Sequence, residues 1–177
     1  GFRNKRSCLT NLLEFMEYVA QRLDEGKPVD SIYLDFQKAF DKVPHRRLLV
    51  KIKAIGIRGK LLKWIKHWLS ARKQRVVMNG VESEWQDVLS VRVPQGSILG
   101  PLLFIIYIND IDEGILNKIL KFADDTKLIG NVGSLADIED LRRDLVRLYE
   151  WSEKWQMKFN LDKCKVMHIG SKNGKAE

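Results

Sequence analysis

Apolar residues recur at intervals of three and four positions in several parts of the chain, and this spacing predicts amphipathic helices. Ser7 or Thr10 precedes the first of these segments and Ser134 the last, and Gly26 and Gly56 follow the first two. The predicted helices run from Ser7 or Thr10 to Gly26, from His45 to Ile55, from Gly59 to Ala71, from the Val93–Pro101 loop to Tyr107, and from Ser134 to Trp155.

Most apolar positions of these helices are expected to face a core. In the first helix these positions are Leu9, Leu12, Leu13, Met16, Val19, Ala20 and Leu23; in the last helix they are Leu135, Ile138, Leu141, Leu145, Leu148, Trp151 and Trp155. The third helix carries Trp64 and Trp68 one turn apart. Aromatic rings at that spacing can stack on bases, but in an amphipathic helix they are more often packing residues, and we interpret them so.

Runs rich in β-branched and aromatic residues predict strands between the helices. The clearest signal is the Asn79-Gly80 dipeptide, which a type I′ hairpin turn requires and which predicts antiparallel pairing. The predicted strands are Val29–Phe36, Gln74–Met78 and Val81–Trp85 around that dipeptide, two runs within Lys118–Ile129, Met157–Asn160 and Val166–Ile169.

Three carboxylates lie at the ends of these strands. Asp124 and Asp125 occupy the tip of the Lys118–Ile129 hairpin, and Asp35 ends the upstream strand. Adjacent like charges in a tight turn are unfavourable, so a cation is expected there. A solvated Asp-Asp turn is the ordinary alternative, but it does not explain Asp35. If the two strands are neighbours, the three carboxylates converge and can hold two metal ions about 4 Å apart for phosphoryl or nucleotidyl transfer.

Length and composition restrict the possibilities further. With 177 residues and 45% hydrophobic content, the chain is expected to form one globular domain with one active site. No apolar run approaches the roughly 18 residues of a membrane span and no signal peptide is evident, so we expect a soluble, intracellular protein without a membrane partner. Cys8 and Cys164 have no metal-binding spacing and are expected to stay reduced.

The positive charge of the chain is concentrated in one segment. The net charge is +8, yet residues 42–81 contain 12 Lys and Arg and no acid, while the remainder has 19 basic and 23 acidic residues. A solvated helix face usually mixes both signs, so the segment indicates a polyanionic partner, with nucleic acid as the first candidate. On the first arm of the Asn-Gly hairpin, Arg72, Lys73 and Arg75 are the candidate phosphate contacts.

The loop at Val93–Pro101 has a backbone restricted by Pro94 and by Gly96, and Gly96 leaves room for a flat group to approach. A helix N-terminus behind such a loop suits phosphate, although the pattern alone is equally typical of an ordinary loop.

Four motifs, taken in order, resemble the reverse transcriptases of non-long-terminal-repeat (LINE-type) retrotransposons, particularly the chicken-repeat-like elements. They are Tyr33–Asp41, Val93–Pro101, Phe122–Asp125 and Asn160–Lys165. The resemblance implies an α+β, polymerase palm-type fold: a small antiparallel sheet with packed helices, in the right-hand reverse transcriptase arrangement, with fingers and thumb incomplete. It covers residues 1–170, a palm with partial fingers, and leaves a polar tail at 171–177.

The resemblance also implies an activity and a metal site. The activity is RNA-directed DNA polymerisation, in which a primer 3′-hydroxyl attacks the α-phosphate of a deoxynucleoside triphosphate on an RNA template. Asp35 and Asp124 would bridge two Mg²⁺ ions, for which Mn²⁺ can substitute. Asp125 would complete the acidic cluster, and the backbone carbonyl of Phe36 would assist.

Further roles follow by position from the same resemblance. Phe40 would lie under the sugar of the incoming nucleotide as the gate against a 2′-hydroxyl, and Gln95 and Gly96 would line the nucleotide and template pocket. Lys163 matches a lysine that protonates pyrophosphate, with Lys165 close by. The nucleus is the expected location.

Two departures from the family pattern suggest an alternative. Val91-Arg92 stands where the family usually has Ser-Gly, and we expect Arg92 to displace the loop that follows it. Upstream fingers residues, the thumb and the endonuclease are missing, so a longer parent protein is expected. The alternative function is that of a catalytically inactive or domesticated remnant, a module that binds nucleic acid or protein.

Overall fold

A computed structural model describes residues 7–70, 72–87, 93 and 96–175. Its helices are α1 (Cys8–Asp24), α2 (His45–Ala54), α3 (Gly59–Leu69), α4 (Leu99–Ile108) and α5 (Leu135–Trp155). Its strands are β1 (Val29–Leu34), β2 (Lys73–Gln74), β3 (Val77–Met78), β4 (Val81–Glu82), β5 (Gln86–Asp87), β6 (Lys118–Phe122), β7 (Asp125–Asn131) and β8 (Lys165–Ile169). The five predicted helices are all present.

β1, β6, β7 and β8 are present where strands were predicted. The predicted strand Gln74–Met78 is interrupted between β2 and β3, and Val81–Trp85 forms a strand, β4, over its first two residues only. Met157–Asn160 is not a strand. In that segment only Phe159 forms a bridge, with Phe36. The chain divides into two units: one consists of the residues up to Gln37 and from Asn109 onward, and the other of Lys38–Ile108.

A four-stranded antiparallel sheet in the order β6-β7-β1-β8 is the centre of the first unit. β1 lies between β7 and β8, so the middle strand of the sheet comes from the early part of the chain and its neighbours from the late part. Helix α1 packs on the sheet through Phe15 and Val19, which form a buried cluster with Val29, Leu120 and Ile129.

The prediction that the apolar side of α1 packs into a core is wrong for most of the residues named. Leu9, Leu12, Leu13 and Met16 are about half exposed, and Val19 is the one member of the predicted set that is buried. The helix meets the sheet with the stripe that contains Phe15 and Val19, spaced one turn apart, and this stripe is rotated away from the leucines.

Helix α5 begins as predicted, with a capping box between Ser134 and Asp137. Leu141 and Leu148 are buried, as expected, whereas Leu135 is exposed. The fully buried Asp144 was not expected from the apolar pattern. Its carboxylate accepts hydrogen bonds from the backbone N–H groups of Leu116 and Asn117 and from the Asn117 amide, at 2.8 to 3.0 Å. Asp144 therefore attaches the segment that leads into β6.

Close packing in the same region explains Gly130, in the middle of β7. A Cβ atom there would lie 2.7 Å from Asn117 Oδ1 and 2.9 Å from Leu141 Cδ1. Because the Asn117 amide is held by Asp144, it cannot easily move aside, and the position accommodates only glycine.

Helices α2, α3 and α4 belong to the second unit, with α2 packed against the other two. Its buried residues include Leu48, Ile52, Ile65, Leu69, Leu103, Phe104 and Tyr107. Lys51 is also buried, and its ammonium donates to the Tyr107 carbonyl at 2.5 Å, so this member of the basic segment serves packing.

The predicted Asn-Gly hairpin belongs to the second unit. Asn79 and Gly80 have φ values of 51° and 79°, the conformation that joins β3 to β4 by a type I′ turn, and β2 pairs with β5 below it. All residues of these four strands are exposed. Trp64 on α3 is 51% exposed, so its interpretation as a packing residue is wrong.

Within the described ranges, no helix has both the length and the apolar character needed to cross a membrane. Cys8 and Cys164 are free thiols. Asn173, in the predicted polar tail, donates to the Val29 carbonyl and to the Asp30 carboxylate, so the residues after β8 contact β1.

Candidate active site

The candidate site lies at the end of the four-stranded sheet where β1 stops and β7 begins. Leu34 pairs with Thr126, so Asp35, one residue beyond β1, lies at the same end as Asp125, the first residue of β7. Phe122 pairs with Asp125, which leaves a two-residue turn of Ala123 and Asp124 at the hairpin tip. The predicted neighbourhood of the two carboxylate strands is therefore present.

A second set of contacts holds the backbone around Asp35. The Asp35 carbonyl accepts from the Asn160 N–H at 2.7 Å, and the Gln37 N–H donates to the Lys158 carbonyl at 2.9 Å. Phe36, between them, is buried and stacks on Phe159 with ring centroids 4.7 Å apart. Neither of these two bonds uses the Phe36 carbonyl, the group to which the resemblance gives a metal-ligand role.

Electrostatic repulsion among the carboxylates is visible at Asp125. Partial burial raises the pKa of Asp125 above its ordinary value, and the charges of Asp124 and Asp35 raise it further, while Lys127 acts in the opposite direction. The charges of Asp35 and Asp124 therefore act on Asp125, although Asp125 is exposed to solvent.

The Asp35 carboxylate lies beside the ammonium of Lys163. Asp35 Oδ2 is buried and has no hydrogen-bond donor. Lys163 Nζ lies 3.4 Å away, an ion-pair distance too long for a good hydrogen bond. The Lys163 side chain is 68% exposed, so it approaches the carboxylate from the solvent side.

A cleft of about 580 Å³ opens beside these carboxylates. Its lining consists of Tyr33, Leu34, Asp35, Asp125, Thr126, Lys127, Asp162, Lys163 and Lys165. Asp124, in the turn, is outside that lining. Among the described residues no three His, Cys, Asp or Glu side chains are grouped so that they could hold a metal ion, and the predicted ligand roles stay predictions.

A row of residues crosses the sheet next to the carboxylates. Tyr33 on β1 pairs with Lys127 on β7 and with Lys165 on β8. The Lys127 ammonium lies 5.1 Å from the Tyr33 ring centroid and equally far from that of Phe15. Lys127 belongs to none of the sites predicted from the sequence. The signal that identifies it is the two-residue strand period, which places Lys127 on the same face as Asp125.

Phe40 and Gly96, predicted to contact the nucleotide, belong to the second unit. The Phe40 ring stacks on Phe104 of α4 at 4.4 Å, and the Phe40 carbonyl accepts from the Val93 N–H at 2.9 Å. Gly96 has φ +80°, a conformation that favours glycine. Gln95, and Val91 and Arg92 before it, lie outside the described residues.

The predicted phosphate contacts of the basic segment have partners within the second unit. Arg72 lies 5.2 Å above the Trp68 ring. Arg75 forms an ion pair with Glu82 and lies over the Trp85 ring, while Lys73 is 4.0 Å from Asp87 and 62% exposed. Glu82 and Asp87, on the second arm of the hairpin, thus neutralise part of the positive charge of the first arm.

One known protein family matches nearly the whole of this chain. The family described as "Reverse transcriptase (RNA-dependent DNA polymerase)" matches residues 1–176. The chain belongs to the reverse transcriptase family.

Relatives of this reverse transcriptase chain come from mobile elements. The RNA-directed DNA polymerase from mobile element jockey is 28% identical over 98% of this chain in Drosophila melanogaster, and 30% identical over 93% in Drosophila funebris. The Pol polyprotein from the type-1 retrotransposable element R2 of Popillia japonica is 24% identical over 95%. The chain spans 20%, 19% and 29% of their respective lengths.

Solved structures show the same fold. Telomerase from Candida tropicalis superimposes on this reverse transcriptase chain with a TM-score of 0.66, at 13% identity, over 97% of this chain and 36% of the telomerase chain. The predicted α+β reverse transcriptase fold is confirmed, as is the resemblance to the non-long-terminal-repeat class. The narrower resemblance to chicken-repeat-like elements stays a prediction.

Proposed function

We propose that this chain is the palm of an RNA-directed DNA polymerase of a non-long-terminal-repeat retrotransposon and acts as part of a longer protein. It would add deoxynucleotides to a primer 3′-hydroxyl on an RNA template. The observation that carries the proposal is that Asp35 and Asp125, from strands distant in sequence, line one cleft at the same end of the sheet, in a chain of the reverse transcriptase family. The nucleus is the proposed site of action.

Two features of the carboxylates at this end of the sheet support a site for divalent cations. Asp35 has a buried oxygen without a hydrogen-bond donor, and the pKa of Asp125 is raised by its burial and by the carboxylates near it. Both features indicate negative charge that is not fully compensated by the protein. We propose that Asp35, Asp124 and Asp125 hold two Mg²⁺ ions, or Mn²⁺ in their place. Bound there, the ions would supply activation of the attacking hydroxyl and stabilisation of the leaving oxygens.

We assign the orientation of the substrates and the protonation of the leaving group to the chain's own residues. Lys163, 3.4 Å from Asp35 Oδ2, is placed at the cleft with an ammonium that can give a proton to the departing pyrophosphate. Lys165 lines the same cleft and is the second candidate for this role. In the other unit, Phe40 is proposed as the sugar gate, and Gln95 and Gly96 as nucleotide and template contacts.

Thermal melting of the chain with and without Mg²⁺ or Mn²⁺ tests the metal site. Either ion should raise the melting temperature because it binds the folded state, and Asp124→Asn should reduce that rise. Asp112→Asn is the matched control, since Asp112 is an exposed acid of the same unit that pairs with Lys121, and it should leave the rise unchanged. If neither ion raises the melting temperature of the parent chain, no metal site is formed.

Primer extension by a longer protein that carries fingers and thumb tests the activity. Asp35→Asn and Asp125→Asn should each lower extension by about a hundredfold or more while template binding stays intact, because each removes a charge that acts only at the reaction centre. Template binding without extension by the parent protein would instead support the alternative, an inactive remnant that binds nucleic acid or protein.

A further inference from the structure

Three side chains form a stack along one edge of α3 in the second unit. The rings of Trp64 and Trp68 are nearly parallel, with centroids 6.5 Å apart and an interplanar angle of 19°. The guanidinium of Arg72 lies 5.2 Å from the centroid of Trp68. Trp64 and Trp68 lie one helical turn apart, and Arg72 lies three positions beyond Leu69, the last residue of α3, so the Trp64–Trp68–Arg72 stack extends past the end of the helix.

Trp64, the first ring of the stack, is exposed. About half of its surface is accessible, and both its ring and the Arg72 guanidinium contact the Trp68 ring. The packing of α3 within its unit does not require Trp64, because Ile65 and Leu69 bury the other side of the helix. A half-exposed indole of this size leaves aromatic surface available for a ligand.

The charge around this face restricts what that ligand can be. Lys60 lies one turn before Trp64, Lys63, Lys66 and His67 lie on the same helix, and residues 42–81 contain no acid at all. A peptide that bound an apolar helix face would not need a positive electrostatic potential around it. A flat aromatic group carried on a polyanion satisfies both the indole and the cations, and an unpaired nucleotide strand has this chemistry.

We propose that the Trp64–Trp68–Arg72 stack is a platform on which unpaired bases of single-stranded RNA stack, with the neighbouring lysines facing its phosphates. The inference rests on the proposed function in one respect, that the strand is the template. Paired bases cannot use the platform, because their faces are already stacked inside the duplex.

Fluorescence anisotropy with the whole chain tests the platform. The probes are a labelled single-stranded RNA of about 12 nucleotides, within the range of single-strand sites, and a blunt RNA duplex of the same sequence. Trp64→Ala should weaken single-strand binding by roughly 5-fold or more, as expected for the loss of one stacked base. Trp64→Phe should stay within about threefold of the parent, since it keeps an aromatic face.

The controls separate stacking from charge and from folding. Leu61→Ala changes an exposed apolar residue of the same helix and should bind like the parent. Trp64→Ala should leave duplex binding and the slope of log affinity against log salt unchanged, whereas Lys60→Ala with Lys63→Ala should make that slope shallower. The melting temperature of Trp64→Ala should match that of the parent because the side chain is exposed.

Single-strand affinity that is equal in Trp64→Ala and the parent would overturn the platform, as would an equal loss for single strand and duplex. Asp35→Asn distinguishes this failure from failure of the proposed activity. It should abolish primer extension in the longer protein and leave the Trp64-dependent binding of the 177-residue chain intact.

Discussion

Replacing Asp144 by alanine is expected to lower the free energy of unfolding by about 3 kcal/mol. The fully buried carboxylate accepts from three N–H donors of the segment before β6, those of Leu116, Asn117 and the Asn117 side-chain amide, and it also pairs with Arg147 at 3.4 Å. A donor left unpaired by such a change costs about 1 to 3 kcal/mol. All three donors are only partly buried and can recover some hydrogen bonding to water, so the lower end applies to each.

The effect should be local as well as global, because these bonds fix the entry to β6 and thereby the hairpin that carries Asp124 and Asp125. Hydrogen exchange at the Leu116 and Asn117 amides should accelerate in Asp144→Ala before the rest of the sheet is affected. Asp144→Asn keeps the size and one acceptor oxygen, and it should lose less stability, about 1 to 2 kcal/mol.

Urea unfolding followed by circular dichroism gives the stability of each variant. Asp140→Ala is the matched control on the same helix, since Asp140 is half exposed and forms a simple ion pair with Arg143 at 3.0 Å. It should change stability by no more than about 0.5 kcal/mol. If Asp144→Ala and Asp140→Ala lose the same amount, or if amide exchange at Leu116 is unaltered, the hydrogen bonds of Asp144 do not hold this segment.

Three other measurements address the site directly. The pKa of Asp125 is raised in the folded chain, so its ionised form opposes folding. Asp125→Asn should therefore raise the melting temperature near pH 7. This gain should disappear toward pH 4, where the carboxyl of the unfolded chain also binds its proton. A gain independent of pH would contradict this. Phe40→Ala, in a longer protein able to polymerise, should increase ribonucleotide use relative to deoxynucleotides, and unchanged selectivity would remove Phe40 as the gate. In the same longer protein, Arg92→Gly with Val91→Ser should increase primer extension several-fold while Arg92→Lys does not; equal activity in all three would mean that this departure from the family has no effect.

Local signals were sufficient for most of the secondary structure. Serine caps at Ser7 and Ser134 began helices where they were expected to, and Asn79-Gly80 made the hairpin turn that its preference for positive φ predicts. These features depend on residues a few positions apart, so the sequence carries their full cause. Met157–Asn160 was predicted to be a strand, but it forms one bridge rather than a continuous ladder of pairs.

The candidate carboxylates could also be named from the sequence, since Asp35 and Asp124-Asp125 follow strand-like runs. That these carboxylates lie at the same end of the sheet could not be predicted from the sequence. It depends on β1 lying between β7 and β8, and this pairing joins residues roughly 90 to 140 positions apart through registers that no local pattern specifies. Lys127 shares a face with Asp125 through the two-residue period of β7, which is a local signal, but its contact with the Tyr33 ring depends on the pairing of β1 with β7.

Burial was the property that the sequence determined least. Periodicity located the apolar side of α1 and the tryptophans of α3, but the leucines of α1 and Trp64 are exposed in the folded chain. A helix has one side that fits its neighbour, and the shape of that neighbour selects the side: the sheet received Phe15 and Val19, and the second unit received Ile65 and Leu69. The amino-acid sequence thus determined which residues are apolar, and only the tertiary packing decided which of them lie in the core and which remain available to a ligand.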